Sequence, residues 1–239
     1  VKYCISSAGP LPNDIRTRFE ELTGAKLREG YGLTEMSPLV SVNPFEDALN
    51  RPGTIGMPVP NTEVKIVDPA GNTLPIGEAG ELVCRGPQMM KGYFKRPNET
   101  ENAIRTHEDG KKWLHTGDIA MMDEDGYFTI KDRLKNLIKY KGHSVYPTEV
   151  EDLLYNHEAI QECGVIGIID EEGKENIKAY VVLKEKFVGK VSEQDIVAWS
   201  KEKMAFDKYP RFVEFIDEIP KTIVGKVLHR ELRDIDQAK

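Results

Sequence analysis

Asp118 closes the tetrapeptide His-Thr-Gly-Asp at the end of a short apolar run. That places a carboxylate at a strand end, where two adjacent sugar hydroxyls can both donate to it. Downstream, residues 131–142 hold one acid and five bases, with Leu134, Leu137 and Ile138 between them. By composition alone such a run is a solvated face. Gly142, directly after Lys141 and close to Lys139, supports a second reading. A glycine there lets backbone approach a ligand, and two ammonium groups lie within reach of phosphate or carboxylate. The whole stretch 113–149 reads as a seam that packs acid, base and glycine between hydrophobic strands.

Those residues need elements to hold them. Between Asp118 and the basic run, two alternating segments flank Asp123, Glu124, Asp125 and Gly126, which predicts a hairpin. No glutamate follows at the spacing a calcium loop requires, so these acids read as turn residues. The runs YCIS, EVKIV, ELVCR, YFTI, CGVIGII, AYVVL and FVEFI are strands by length and β-branching. Helical patterns cover 14–22, 147–156 and 193–204, with Asn13, Thr148 and Ser192 as expected caps, and Asn98 is expected to cap a further short helix. Residues 44–60 form a long surface crossing rich in proline, glycine and asparagine, and 68–72 a tight turn. The fold class is mixed α/β. The first half looks like the tail of one domain. From Asn136 the order strand, helix, strand, strand, helix, strand predicts a small α+β unit, with the boundary at residues 133–136.

The chain has 239 residues, 39% of them hydrophobic, which supplies an ordinary globular core. Its net charge of −7 divides evenly, with 16 bases and 20 acids in residues 1–133 and 17 and 20 in the rest, so neither half is basic enough to suggest nucleic acid. Cys4, Cys84 and Cys163 are too scattered for a disulfide framework or a zinc pair and read as core residues in a reducing cytoplasm. No apolar run is long enough to span a membrane and no secretion signal is present, so the Asn98-Glu99-Thr100 acceptor reads as idle. His115, His143 and His229 read as structural.

Several segments then line up in order: SSAGPLP at 6–12, GYGLTEMSP at 30–38, GELVCRGPQMMKGY at 80–93, WLHTGD at 113–118, the seam itself, and PKTIVGKVLHREL at 220–232. Together they resemble the adenylate-forming superfamily of acyl-CoA synthetases, and YGLTEMSPLVSVNPF with VYPTEVED is most similar to long-chain fatty-acid–CoA ligases. The resemblance covers nearly the whole chain. It implies ATP, Mg2+ and coenzyme A as cofactor and co-substrates and a fatty acid as the other substrate. It also implies residues 1–134 as the C-terminal part of the large AMP-binding domain, the end of its sheet plus a β-barrel-like subdomain. Residues 135–239 would then be a small mobile C-terminal domain hinged near Lys135.

By the same resemblance Tyr31 is the plate on which adenine stacks, with Gly32 leaving room beside it, and the backbone around Gly9 faces the adenine ring. Thr34 bonds the α-phosphate, and Glu35 holds magnesium, a hard cation suited to carboxylate oxygen. Without the resemblance Tyr31 is a core residue, Thr34 and Glu35 a helix start, Gly9 part of a strand-to-helix loop, and Lys226 a hairpin-turn lysine. Asp118 accepts both ribose hydroxyls and Arg133 contacts the ribose. Lys226 swings in to bind the carboxylate and α-phosphate as pyrophosphate leaves. Lys139 and Gly142 belong to the face that replaces it for thioester formation. Serine at 144 departs from the amide common there. GELVCRGPQMMKGYFKRP is assigned scaffold duty.

A phosphate-binding loop is expected upstream in such enzymes, yet the sequence holds no G-x-x-x-x-G-K-[S/T] and no Ser/Thr/Gly-rich run. The expectation is therefore the C-terminal portion of a longer ligase, inactive by itself and lacking its N-terminal partner segment and acyl tunnel. Peripheral membrane contact of the full-length protein stays open. So do two alternatives: a ligase for an aryl or medium-chain acid, and a non-catalytic nucleotide-binding module.

Overall fold

The computed structural model describes every residue except Ala8, Pro10, Glu171, Ile223, Val224 and Lys239. The chain divides into two compact units, Val1–Lys131 and Asp132–Lys239.

In the first unit, β1 (Tyr3–Ser6), α1 (Asn13–Thr23) and β2 (Lys26–Gly32) form a crossover whose two strands run parallel. β3 (Leu39–Val42) and β4 (Met57–Pro58) extend that sheet antiparallel beyond β2. β2 is Lys-Leu-Arg-Glu-Gly-Tyr-Gly, a poor strand by propensity. It holds because Arg28, 1% exposed, has ion-pair partners in Glu20 and Asp47 and donates to the carbonyls of Pro44 and Phe45. A second sheet is antiparallel and built from β5 (Glu63–Val67), β6 (Ala79–Arg85), β7 (Ile104–Thr106), β8 (Lys112–Met122) and β9 (Phe128–Arg133), with α2 (Pro97–Ala103) leading into β7. Its β-branched strands bury Ile66, Leu82, Cys84, Leu114, Ala120 and Phe128 in one cluster, and Val67, Val83 and Trp113 in another.

β8 is not regular. Val83 faces His115 and Glu81 faces Ile119, so residues 116–118 stand opposite Leu82 alone. Asp118 therefore lies within an 11-residue strand, at a bulge, and not at a strand end as the sequence suggests. The apolar run continues past it through Ile119 and Ala120.

The second unit begins at the end of β9 with a short 3-10 turn, Leu134–Asn136. β10 (Ile138–Tyr140) and β11 (His143–Val145) form a small hairpin, and α3 (Pro147–Leu154) follows. β12 (Ile160–Ile169) and β13 (Glu175–Leu183) pair antiparallel, α4 (Glu193–Lys203) crosses, and β14 (Phe212–Phe215) joins β13 in parallel. One cluster joins Val150 and Leu154 of α3 and Ile196 of α4 to Val165, Ala179 and Val181; a second joins Leu232 of α5 (His229–Gln237) to Ile166 and Tyr180. Alternate residues of β12 and β13 thus feed separate clusters, as the period of a strand requires.

α5 was not expected from the sequence. Its nine residues are mostly charged, and Leu232 supplies its fully buried apolar contact. Of the expected caps, Ser192 forms a full capping box with Asp195. Asn13, Asn98 and Thr148 lie inside their helices, behind Pro12, Arg96 and Tyr146 at the N-cap positions. For Asn98 and Thr148 the reason is a proline at the first helical position, which moves the N-cap two residues earlier. No helix among the described residues is long and apolar enough to cross a membrane.

Candidate active site

Tyr31 is the penultimate residue of β2 and Asp118 sits at the β8 bulge, and the Tyr31 hydroxyl donates to Asp118 Oδ2 at 2.5 Å. Asp118 is buried and Tyr31 half-buried, its ring packed against the cluster around Met36 and Val40. Burial, and then the Asp118 charge, push the Tyr31 phenol far above its ordinary value, so it remains a donor. Tyr31 thus joins an apolar ring packed on the core to a hydroxyl bonded to a carboxylate. Burial and the same charge push the Cys84 thiol up to about 12, which leaves it an inert core residue.

The bulge is tied polar group by polar group. Thr116 Oγ1 donates to the Leu82 carbonyl at 2.7 Å and accepts from the Asp118 amide at 3.1 Å. The Gly117 amide, in a residue with φ of 70°, donates to Glu81 Oε1 at 3.0 Å.

Thr34 and Glu35 occupy a 3-10 turn, Thr34–Met36, after β2. A Cβ on Gly32 would stand 2.2 Å from the Pro38 carbonyl oxygen, which accepts from the Leu33 amide at 2.8 Å. Gly32 is therefore required by closure of its own loop, a reason independent of any room it leaves for a base. Thr34 is exposed and Glu35 half-buried; Glu35 Oε1 accepts from the Tyr93 hydroxyl at 2.7 Å, and that bond, with some burial, pushes the Tyr93 phenol up to about 12. Sequence reasoning gave Tyr93 scaffold duty and did not see it as the partner of Glu35. Glu35 fits a magnesium ion as a single hard oxygen donor, the remaining ligands being phosphate and water. Among the described residues no group of three His, Cys, Asp or Glu could hold a metal without such help. Gly9 is exposed, with nothing within 4 Å of a Cβ built on it, in the loop between β1 and α1.

The other expected residues belong to the second unit. Arg133 and Lys135 are exposed at its start. Between them and the unit's core stands a network that sequence reading missed. Asp132 Oδ2 accepts from the amide and hydroxyl of Thr148, both at 2.9 Å, and its Oδ1 accepts from Asn136 at 3.2 Å. Asn136 reaches His229 Nδ1 at 3.4 Å, and His229 Nε2 lies 2.8 Å from Glu151 Oε1, which also accepts from the Val165 amide at 2.8 Å. His229 is structural, as its sequence suggests. It links α5 to α3 and, through Asn136, to the start of the unit.

Lys139 and Gly142 share the β10–β11 hairpin. Lys139 Nζ donates to Ser144 Oγ at 2.7 Å across the pair, so the serine at 144 is the lysine's partner. Lys141 and Gly142 have φ of 49° and 86°, the two positive angles of a type I′ turn. Gly142 is therefore set by turn chemistry, and nothing lies within 4 Å of a Cβ built on it. Lys226 is exposed in a turn where its amide donates to Thr222 Oγ1 at 3.1 Å, its carbonyl accepts from the Thr222 amide at 2.8 Å, and Gly225 has φ of 81°. The structure thus joins Tyr31 to Asp118, Glu35 to Tyr93, and Lys139 to Ser144, and it sets Lys226 on a turn of its own.

Across 98% of its length the chain is 44% identical to a long-chain-fatty-acid–CoA ligase of Escherichia coli, of which it spans 41%. The crystal structure of ATP-bound MatB from Rhodopseudomonas palustris matches 97% of the chain with a TM-score of 0.82 at 31% identity, the match covering 44% of that protein. The anthranilate CoA ligase AuaEII with anthranoyl-AMP matches all of it with a TM-score of 0.77 at 33% identity, covering 46% of that protein. Two family models meet the chain in succession, AMP-binding enzyme over residues 1–94 and AMP-binding enzyme C-terminal domain over residues 149–226, and the chain belongs to the AMP-binding enzymes.

Proposed function

We propose that the chain is the C-terminal portion of an ATP-dependent, AMP-forming acid–thiol ligase that acts on long-chain fatty acids. The carboxylate attacks the α-phosphate of ATP to give acyl-AMP and pyrophosphate. The thiol of coenzyme A then attacks the acyl carbon to give acyl-CoA and AMP. The observation that carries the reading is the 44% identity to a long-chain-fatty-acid–CoA ligase over 98% of the chain. Residues 1–134 belong to the large AMP-binding domain, including its barrel-like part, and 135–239 to the small one.

In this reading Asp118 accepts both ribose hydroxyls, while Tyr31 donates to its Oδ2 and fixes the direction of the remaining lone pairs. The Tyr31 ring and the backbone at Gly9 and Gly32 border adenine, and Arg133 contacts the ribose. The Thr34 hydroxyl donates to an α-phosphate oxygen. Magnesium at Glu35, when bound, neutralises phosphate charge, and Tyr93 holds the carboxylate that meets it. Lys226 brings an ammonium to the carboxylate and α-phosphate and stabilises the charge that develops as pyrophosphate departs. Rotation about Lys135 withdraws it and presents the Lys139–Gly142 hairpin for the thiol step.

A second reading, an aryl acid as substrate, has support from the likeness to the anthranilate ligase, at the lower identity of 33%. Acyl-CoA formation by the enzyme that contains this chain, with palmitate and with anthranilate offered in competition, separates the two. Preference for anthranilate overturns the long-chain reading. The 239-residue chain alone is expected to release no pyrophosphate from ATP and palmitate, and release above a heat-killed control would refute its dependence on a partner segment.

A further inference from the structure

Glu81 lies on β6, in a segment to which sequence reading gives scaffold duty. Its two carboxylate oxygens divide between two groups of β8. Oε2 lies 2.7 Å from His115 Nδ1, and Oε1 accepts from the Gly117 amide at 3.0 Å. The Glu81 side chain is 13% exposed and that of His115 5%, so both contacts are shielded from water. They lie on either side of Thr116, one just before the bulge and one within it.

Hydrogen-bond chemistry fixes one proton. A carboxylate accepts only, so His115 carries a proton on Nδ1. His107 Nε2 lies 3.0 Å from His115 Nε2, and one proton stands between the two nitrogens. His107 Nδ1 is one of two buried side-chain atoms without a hydrogen-bond partner among the described residues. A hydrogen-bonded chain thus links His107, His115 and Glu81, while the Gly117 amide donates to the same carboxylate from the other side. Asp118 is the next residue.

We propose that Glu81 is a positioning residue for Asp118: by holding His115 and the Gly117 amide across the β8 bulge, it sets where the Asp118 carboxylate stands to receive the ribose diol. The inference rests on the reading of Asp118 as the ribose grip. Glu81 touches no substrate. Its effect passes through the backbone of residues 116–118.

The test is Glu81→Gln in the 239-residue chain. Glutamine keeps an oxygen for Gly117 but turns an N–H2 toward the Nδ1–H of His115, a donor set against a donor where the carboxylate accepted. Hydrogen exchange of the amides of residues 116–118 is expected to rise about tenfold while the rest of β6 and β8 stays within about twofold, since one charge-assisted hydrogen bond is at stake. Titration with AMP and 2′,3′-dideoxy-AMP is the second measurement. The wild-type preference for AMP is expected to fall about tenfold in E81Q with dideoxy-AMP affinity unchanged, because loss of diol alignment costs diol binding alone. Equal weakening of both nucleotides, or unchanged exchange at residues 116–118, overturns the proposal. A wild-type chain that shows no preference for AMP overturns the ribose reading of Asp118, and the exchange measurement then decides the role of Glu81. Should E81Q fail to fold, His115→Phe removes one donor from Glu81 and leaves the Gly117 bond. It is expected to move both readouts in the same direction by less, and no movement overturns the proposal.

Discussion

Asp118 and Lys226 carry opposite charges in opposite settings. Asp118 is 6% exposed, bonded to Tyr31 and anchored through its own amide to Thr116. Lys226 is exposed, and the hydrogen bonds of its turn run through its backbone amide and carbonyl. In the proposed reaction the two have different employment. The ribose is held through both half-reactions, so its carboxylate is best kept rigid, since every degree of freedom already lost is one that binding need not remove. Lys226 serves the first half-reaction and must then leave, and a long flexible side chain on an exposed turn suits a group that comes and goes.

The most demanding way to break that contrast is Lys226→Ala in the enzyme that contains this chain. Pyrophosphate release is expected to fall by about two to three orders of magnitude, the loss typical of one donor to a developing oxyanion. Thioester formation from preformed acyl-AMP should stay within a few-fold. Equal loss in both steps would remove the division of labour. Asp118→Asn comes next: AMP affinity measured by calorimetry should drop by roughly 10- to 100-fold, as one charge-assisted hydrogen bond is worth about 1.5–3 kcal/mol. Tyr31→Phe should cost less, and a larger loss there would move the grip from the carboxylate to the phenol.

The contrast also predicts which changes touch stability. Glu151→Ala strips His229 and the Val165 amide of their shared acceptor, and urea unfolding should show a loss of about 1–3 kcal/mol. Lys226→Ala, in the same unit, should leave the urea midpoint unmoved. Smallest is Gly142→Ala, which forces a Cβ onto a residue at φ of 86° and should cost about 1 kcal/mol with AMP affinity unaffected. A change in AMP affinity would tie the hairpin to the nucleotide.

Much of this was legible in the chain. β5, β6, β12 and β13 announce themselves through β-branched runs, and the order of the motifs gives the family. What stayed hidden shares a physical cause. β2 is a strand in spite of Arg28, Glu29 and two glycines, because Glu20 and Asp47, distant in sequence, neutralise the buried guanidinium. α5 hides because its largest contribution is one leucine. Glu81–His115 and Tyr31–Asp118 depend on strand register, and a bulge shifts register in a way that no local periodicity encodes. The Asp132–Thr148 and His229–Glu151 pairs likewise join segments that meet only on folding.

The bulge in β8 behaves like an insertion that preserves a reading frame. Three residues face one, so the strand carries two extra residues, an even number, and the alternation of its faces survives: Leu114 before the bulge and Ala120 after it enter the same core cluster. Loss of Gly117 alone would put the rest of β8 out of phase and turn Ala120 away from that cluster. Loss of two residues would restore an ordinary ladder and keep the core, at the expense of the ledge on which Asp118 stands. The length of this segment is therefore free to vary in steps of two, and within that rule the core and the carboxylate can change independently.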